Sequence, residues 1–253
     1  TTAMKRSKLT EYLDAYLEIE SFVGIDRSLN SLVVGGIDKE VRKLAFAVDA
    51  CQQTFEKAIA WGADLLVVHH GLFWGSPLAL TGTHYQRIKM LLDADLDLYV
   101  AHLPLDAHRE VGNNAVMANR LNLVQIEPFA SYKGRHIGYK GILETPKSID
   151  SLSSMLGFDD PVVLPFGKKQ IRSIGLVSGG ASSDVHQALA EGLDCFITGE
   201  VEHQVYHDAL EGGINVIGGG HYTSEIFGAQ ALSEQLAKLF DLEVSFIANP
   251  TGL

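Results

Sequence analysis

The chain has 253 residues, 46% of them hydrophobic, and a formal net charge of −11. That length suits one large domain or two small ones with a sizeable core, and the acidic balance argues against direct binding to nucleic acid or to an anionic membrane. No apolar run reaches the ~20 residues of a bilayer span, and the opening TTAMKRSKLTEYLD has no hydrophobic signal core, so a soluble cytoplasmic protein is expected. The two cysteines, Cys51 and Cys195, are flanked by apolar residues and read as small buried hydrophobes in a reducing compartment.

In chain order, Thr10 to about Glu20 predicts a helix with an N-cap threonine, and Asp26 to Asn30 a polar turn. LVVGG (32–36) and KLAFAVDA (43–50) predict strands, and TFEKAIAWG (54–62) a helix that stops at Gly62. DLLVVHHG (64–71) lacks alternation, which predicts a strand buried on both faces. A helix over 84–96 and a strand over 96–102 follow. The stretch from about Glu127 to Pro165 mixes glycines, prolines and strand-like pieces, and is expected to hold a crossover or a second sheet. The last third alternates strand 173–180, helix 183–192, strand 193–200, helix 203–213 and strand 214–221. A helix from about Tyr222 to Phe240 and a strand over 242–248 end the chain. This rhythm predicts an α/β fold with mainly parallel or mixed sheets flanked by helices. Trp61-Gly62-Ala63-Asp64 enters its strand as Glu191-Gly192-Leu193-Asp194 enters another, so two related α/β domains are expected. We place them at 1–126 and 127–253, with a dinuclear metal site between them.

Chemistry collects where the strands end, the place at which open parallel sheets bind ligands. His69-His70, His102 with Asp106, Glu200, and His221 with Glu225 follow successive strands. Gly71 frees the chain to turn after the two histidines. Pro104 stops the preceding strand and stiffens the loop that presents Asp106. His221 and Glu225 share a face if a helix begins near His221. His69, His70, Asp106, His221 and Glu225 give three imidazoles and two carboxylates, too many donors for one open tetrahedral site. They suit two divalent ions about 3.5–4 Å apart. Nitrogen–oxygen ligation without thiolate favours Zn, Fe, Mn or Co.

The motifs VVHHGLFW, AHLPLDAH followed by Gly112-Asn113-Asn114, TGE with YHDAL, and GGGHYTSE resemble, in combination and order, those of the NIF3-like (DUF34) family. Bacterial members of that family carry the name GTP cyclohydrolase 1 type 2 homologue. The resemblance covers nearly the whole chain. It implies a two-domain α/β chain in a ring-shaped homohexamer, with a dinuclear metal site facing the interior. The family's ligand pattern falls on the same five residues. The middle of this chain lacks the large inserted domain of some relatives.

The leading functional expectation is a dinuclear metal-dependent hydrolase that uses a metal-activated water on a small molecule. GTP cyclohydrolase-like ring opening of a nucleotide is one candidate reaction. The sequence holds no Walker-type loop, and Gly218-Gly219-Gly220 is not a dinucleotide fingerprint. The alternative is a metal-binding ring-shaped scaffold, regulatory interaction protein or metal chaperone without turnover. Asp106 is the expected bridging ligand. His102, Glu200 and His207 are candidates for proton transfer or for supporting a ligand. Phe73 and Trp74 read as a hydrophobic plug at a domain or subunit interface in preference to a stacking platform for a flat substrate such as a nucleobase, and Gly112-Asn113-Asn114 as a helix cap.

Overall fold

A computed structural model describes residues 2–253. Its elements are β1 (Met4–Lys5), α1 (Arg6–Tyr16), β2 (Ser31–Val34), β3 (Glu40–Val41), β4 (Lys43–Asp49), α2 (Gln52–Trp61), β5 (Leu65–His70), α3 (Gly82–Asp93), β6 (Asp97–Val100), α4 (Leu103–Ala107), α5 (Asn113–Arg120), β7 (Val124–Tyr132) and β8 (Arg135–Lys147). They continue with α6 (Ile149–Met155), β9 (Val162–Pro165), β10 (Ile171–Val177), α7 (Val185–Ala190), β11 (Cys195–Thr198), α8 (Val205–Gly212), β12 (Asn215–Gly218), α9 (His221–Ser224), α10 (Ile226–Leu239) and β13 (Glu243–Phe246). The chain is a mixed α/β fold, as its rhythm predicts. Among the described residues no helix is long and apolar enough to cross a membrane.

The chain forms two compact units that interleave along the sequence. The first runs to Leu105 and takes up Ala229–Asn249; the second is Asp106–Gly228 with Pro250–Leu253. In the first unit the strands lie in the order β13-β4-β5-β6-β2. β13, β4, β5 and β6 are parallel, and β2 is antiparallel to β6. Leu65, Leu66, Val67 and Val68 of β5 are all buried, as a central strand covered on both faces requires. Leu66 and Val68 pack with Phe55, Leu91 and Val100 in one core.

In the second unit the order is β7-β8-β10-β11-β12-β9. The stretch expected to hold a second sheet supplies the β7–β8 hairpin, turned at Lys133 and Gly134, both with positive φ. β10, β11 and β12 are parallel, and β9 is antiparallel to β12. Leu176, Ile197 and Ile217 pack under Leu152 and Phe227.

The two units share a strand–helix–strand–helix–strand repeat down to single hydrogen bonds. Asp64 Oδ2 accepts the N–H groups of Arg42 and Lys43, and Asp194 Oδ2 those of Arg172 and Ser173. The N–H of Asp64 reaches Lys43 O, and that of Asp194 reaches Ser173 O. Gly62 and Gly192 both take positive φ as they end the preceding helix, a conformation glycine adopts without a Cβ penalty. In this register Asp49 corresponds to Gly179, His70 to Glu200, and His102 to Gly220.

Two helix readings shift. The first helix begins at Arg6, not Thr10, because Asp38 accepts the N–H of Ser7 and so supplies the cap from 31 residues away. Thr10 lies inside the helix and bonds back to Ser7 O. The helix expected over Tyr222–Phe240 is broken at Glu225, whose φ of −118° is not helical and ends α9.

Candidate metal centre

In the first unit, β5 carries His69 and His70 to its carboxyl end, and β6 delivers His102 just beyond its own. His69 is fully buried and His70 and His102 partly so. Their ring centroids are 4.7 Å (His69–His70), 5.2 Å (His69–His102) and 5.8 Å (His70–His102) apart. One ring nitrogen from each of the three lies within 4.8 Å of the others. Every Nδ1 is held: His69 by Ala101 O at 2.9 Å, His70 by Asp49 Oδ1 at 2.7 Å, and His102 by Asp26 Oδ1 at 2.9 Å. These acceptors keep a proton on Nδ1 and leave the neutral ring's lone pair on Nε2. Gly71 is required by close approach, since a Cβ there would sit 2.6 Å from Val100 Cγ2.

Asp26 sits in the turn expected at 26–30, and its carboxylate is almost wholly buried. Burial raises its pKa, but the hydrogen bond and charge of His102, with bonds from Asn30 and Ser28, outweigh that and pull it down to about 2. Asn30 Oδ1 accepts the His102 N–H, and Asp26 Oδ2 accepts the Leu103 N–H. Phe73 packs on the first unit's core. Trp74 is exposed and meets the His102 ring edge-on at 4.9 Å.

Pro104 stands in the first turn of α4, where its missing N–H costs nothing, and the same helix carries Asp106, the first residue of the second unit. Asp106 and Glu225 are 6% and 2% exposed, and a carboxylate oxygen of one lies within 4.8 Å of one from the other. Asp106 Oδ1 accepts from Asn113 Nδ2 at 2.9 Å and Ser178 Oγ at 2.8 Å. The break between α9 and α10 sets Glu225 against His221, with Nε2 2.6 Å from Glu225 Oε1 and Nδ1 2.5 Å from Glu200 Oε1. Burial lowers the His221 pKa, but Glu225 and then Glu200 reverse this and raise it to about 9.

Gly112-Asn113-Asn114 does not cap α5 through a side chain. Both asparagines are fully buried and brace the site instead. Asn113 donates to Asp106 and accepts the N–H of Gly228; Asn114 donates to Ile137 O and accepts the N–H of Ser178. The structure brings Glu200 to His221 and His102 to the paired histidines, but not His207 to either group. His207 is exposed on α8, in ring contact with Tyr206. Sequence reasoning missed Asp26, Asp49, Ser178 and the bracing role of Asn113 and Asn114.

These donors fit divalent metal. Two buried carboxylates this close repel unless positive charge joins them. A Cβ on Gly179, whose φ is +74°, would lie 2.8 Å from Glu225 Oε1 and 3.1 Å from His221 Nε2, so glycine keeps the space beside both donors open. Carboxylate or carbonyl acceptors behind the imidazoles are the usual support of metal-ligating histidines. Cys195 is buried, which pushes its thiol pKa up and makes it a poor thiolate donor.

The chain is 45% identical over 250 residues to a protein of Archaeoglobus fulgidus named GTP cyclohydrolase 1 type 2 homolog, covering 99% of this chain and all of that one. A Deinococcus radiodurans protein of the same name is 43% identical over 98% of this chain and 94% of its own. The crystal structure of TTHA1606 from Thermus thermophilus matches with a TM-score of 0.84 and 40% identity, over 99% of this chain and 100% of that one. The family model Duf34/NIF3 (NGG1p interacting factor 3) matches residues 4–251, and the chain belongs to that family.

Proposed function

We propose that the protein is a metal-dependent hydrolase in which His69, His70, Asp106, His221 and Glu225 together hold two divalent ions. The observation that carries this reading is the pair of buried carboxylates, Asp106 and Glu225, set beside a carboxylate-backed imidazole. Such a set is costly to bury without a cation. When bound, a pair of divalent ions supplies Lewis acidity and lowers the pKa of water.

The chain's own residues do the rest. Asn113 and Ser178 both bond to Asp106 Oδ1, which fixes the plane of the carboxylate that would serve as a metal ligand. Glu200 is a positioning residue: its hydrogen bond to Nδ1 turns Nε2 of His221 towards Glu225. His207 has no part in this reading. The name shared by the curated relatives supports a nucleotide such as GTP as the first substrate to test. The resemblance supports a homohexamer as the assembly.

The test is direct. Chelator-free protein is assayed for Zn, Fe, Mn and Co by elemental analysis, then screened with each metal against GTP, phosphodiesters and cyclic amides. About two ions per chain and metal-dependent hydrolysis of one class are expected, both lost in Asp106→Ala. Full occupancy with no turnover in any class removes the enzyme; no metal at all removes the site.

A further inference from the structure

Phe73 and Trp74 are neighbours in the chain but sit in different surroundings. Phe73 is the anchor of its loop. Its ring packs on the first unit's core and meets His84 edge-on at 5.4 Å, and its carbonyl accepts the Leu29 N–H at 2.9 Å. On the other side of Trp74, Gly75 holds a φ of +87°, and a Cβ there would lie 3.1 Å from Arg27 O. Residues 73 and 75 thus fasten the loop to the turn that carries Asp26, whose carboxylate also holds the His102 ring. The indole of Trp74 takes no part in that fastening. It stays 36% exposed, an unfavourable setting for so large an apolar group. Its ring contacts are with two imidazoles at the strand ends, His102 at 4.9 Å and 84° and His70 at 6.2 Å and 50°. Neither imidazole stacks parallel to it. A large aromatic side chain held open by its neighbours, at the edge of a polar site, is a surface for a ligand. A saturated ligand would gain only buried area there, whereas a flat conjugated ring gains stacking as well.

We propose that Trp74 is a specificity-determining residue: its open indole stacks on a planar conjugated ring of the substrate, of nucleobase type, beside the strand end that carries His69 and His70. The proposal rests on the hydrolase reading above and deepens it by naming the feature of the substrate that this loop recognises. Trp74 binds no metal and moves no proton; it holds the ring. Phe73 and Gly75 are the positioning residues that hold the indole. Every base has a π-face, so stacking is tolerant of base identity. Trp74 therefore selects flat rings over saturated ones and leaves the choice among bases to other groups.

The experiment uses the full-length protein with GMP, AMP and UMP as probes and ribose phosphate, which lacks the ring, as their control. The chain has two tryptophans, so Trp61→Phe leaves Trp74 as the sole indole. In that variant at least one nucleotide is expected to quench the indole fluorescence saturably, and ribose phosphate is not. Equilibrium dialysis then compares Trp74→Phe, which keeps a π-face, with Trp74→Leu, which keeps only apolar bulk. Trp74→Phe is expected to retain the nucleotide, and Trp74→Leu to weaken it by roughly 5–150-fold, with circular dichroism and metal content unchanged. Equal affinity in Trp74→Leu and wild type overturns the proposal, as does ribose phosphate binding as tightly as the nucleotides, or saturable binding of none of the three. Loss of metal from Trp74→Leu also overturns it, since the indole would then support the histidines and not the ligand. Should either variant fail to fold, the other measurement decides alone. Wild type that holds no metal yet binds a nucleotide through Trp74 removes the hydrolase and keeps the ring site. Wild type that holds its metal and binds as well without the indole removes the ring site alone.

Discussion

The two βαβαβ repeats are alike in backbone and opposite in chemistry. Asp64 and Asp194 hold the same turn with the same pair of backbone N–H groups. Yet where the first repeat ends its strands in Asp49, His70 and His102, the second has Gly179, Glu200 and Gly220. The first unit thus gathers nitrogen donors, each with an acceptor behind it. The second gathers buried carboxylates around a single imidazole and uses glycine to keep the space beside them clear. The comparison separates what the scaffold needs from what the site needs. The turn aspartates belong to the scaffold, because they recur; the strand-end residues belong to the site, because they do not.

The strongest way to break this division is Asp106→Ala. It removes an oxygen donor and leaves the Asn113 amide and the Ser178 hydroxyl without an acceptor, at roughly 1–3 kcal/mol for each buried donor stranded. Urea unfolding of metal-free protein should show this loss, and elemental analysis should show the metal gone. Next comes Gly179→Ala. A left-handed alanine costs about 1–2 kcal/mol, and its Cβ must also displace Glu225 Oε1 from 2.8 Å. Metal content should fall with stability. Asp49→Ala, at the matching place, has ordinary backbone and should lower metal affinity through His70 alone; equal stability losses for the two would defeat the contrast.

Asp64→Ala and Asp194→Ala sharpen the scaffold side. Each removes one carboxylate that accepts two backbone N–H groups, so each should cost about 1–2 kcal/mol by chemical denaturation. The exposed Lys168 partner of Asp194 adds little. A gap well beyond 1 kcal/mol would mean that the two turns are not equivalent. The acid limb tests Asp26. Its folded pKa of about 2 lies below the ordinary 3.8, so the unfolded chain binds the proton first. The stability it contributes is complete above about pH 4 and is lost as pH falls towards 2. Asp26→Asn should flatten the pH dependence of the unfolding midpoint in that window; an unchanged slope would show that the buried pair does not couple to folding. The smallest effect belongs to His207→Ala, which should stay within about 0.5 kcal/mol of wild type and leave metal content unchanged by elemental analysis.

Much of the fold was legible because β5 and its neighbours are read by local pattern: apolar runs, helix stops at glycine, and alternation of element type. The strand-end histidines and carboxylates were legible for the same reason, since a parallel sheet tells where its ends gather. Their partners were not. Asp26 meets His102 across 76 positions, and Ser178 meets Asp106 across 72. Such contacts are set by strand order, which no local window contains. Asp49 is found only once β4 is known to lie beside β5 in a register that pairs it with His70. The start of α1 was misplaced for a similar reason, because its cap comes from Asp38. His207 carries a local signal of its own. Val205 and Ala209 are the buried residues of α8, and a residue two positions from either points away from their face.

Asn113 carries a demand on identity that size and shape do not express. Its amide nitrogen gives a proton to Asp106, while its carbonyl oxygen, the other end of the same planar group, receives one from the Gly228 N–H. Aspartate has almost the same outline but no proton to give when ionised, so it would set an anion against Asp106 with no solvent near to screen the clash. The neutral amide therefore keeps a second negative charge out of this corner of the protein, and hydrolysis of that one amide would introduce it without altering the molecule's contour.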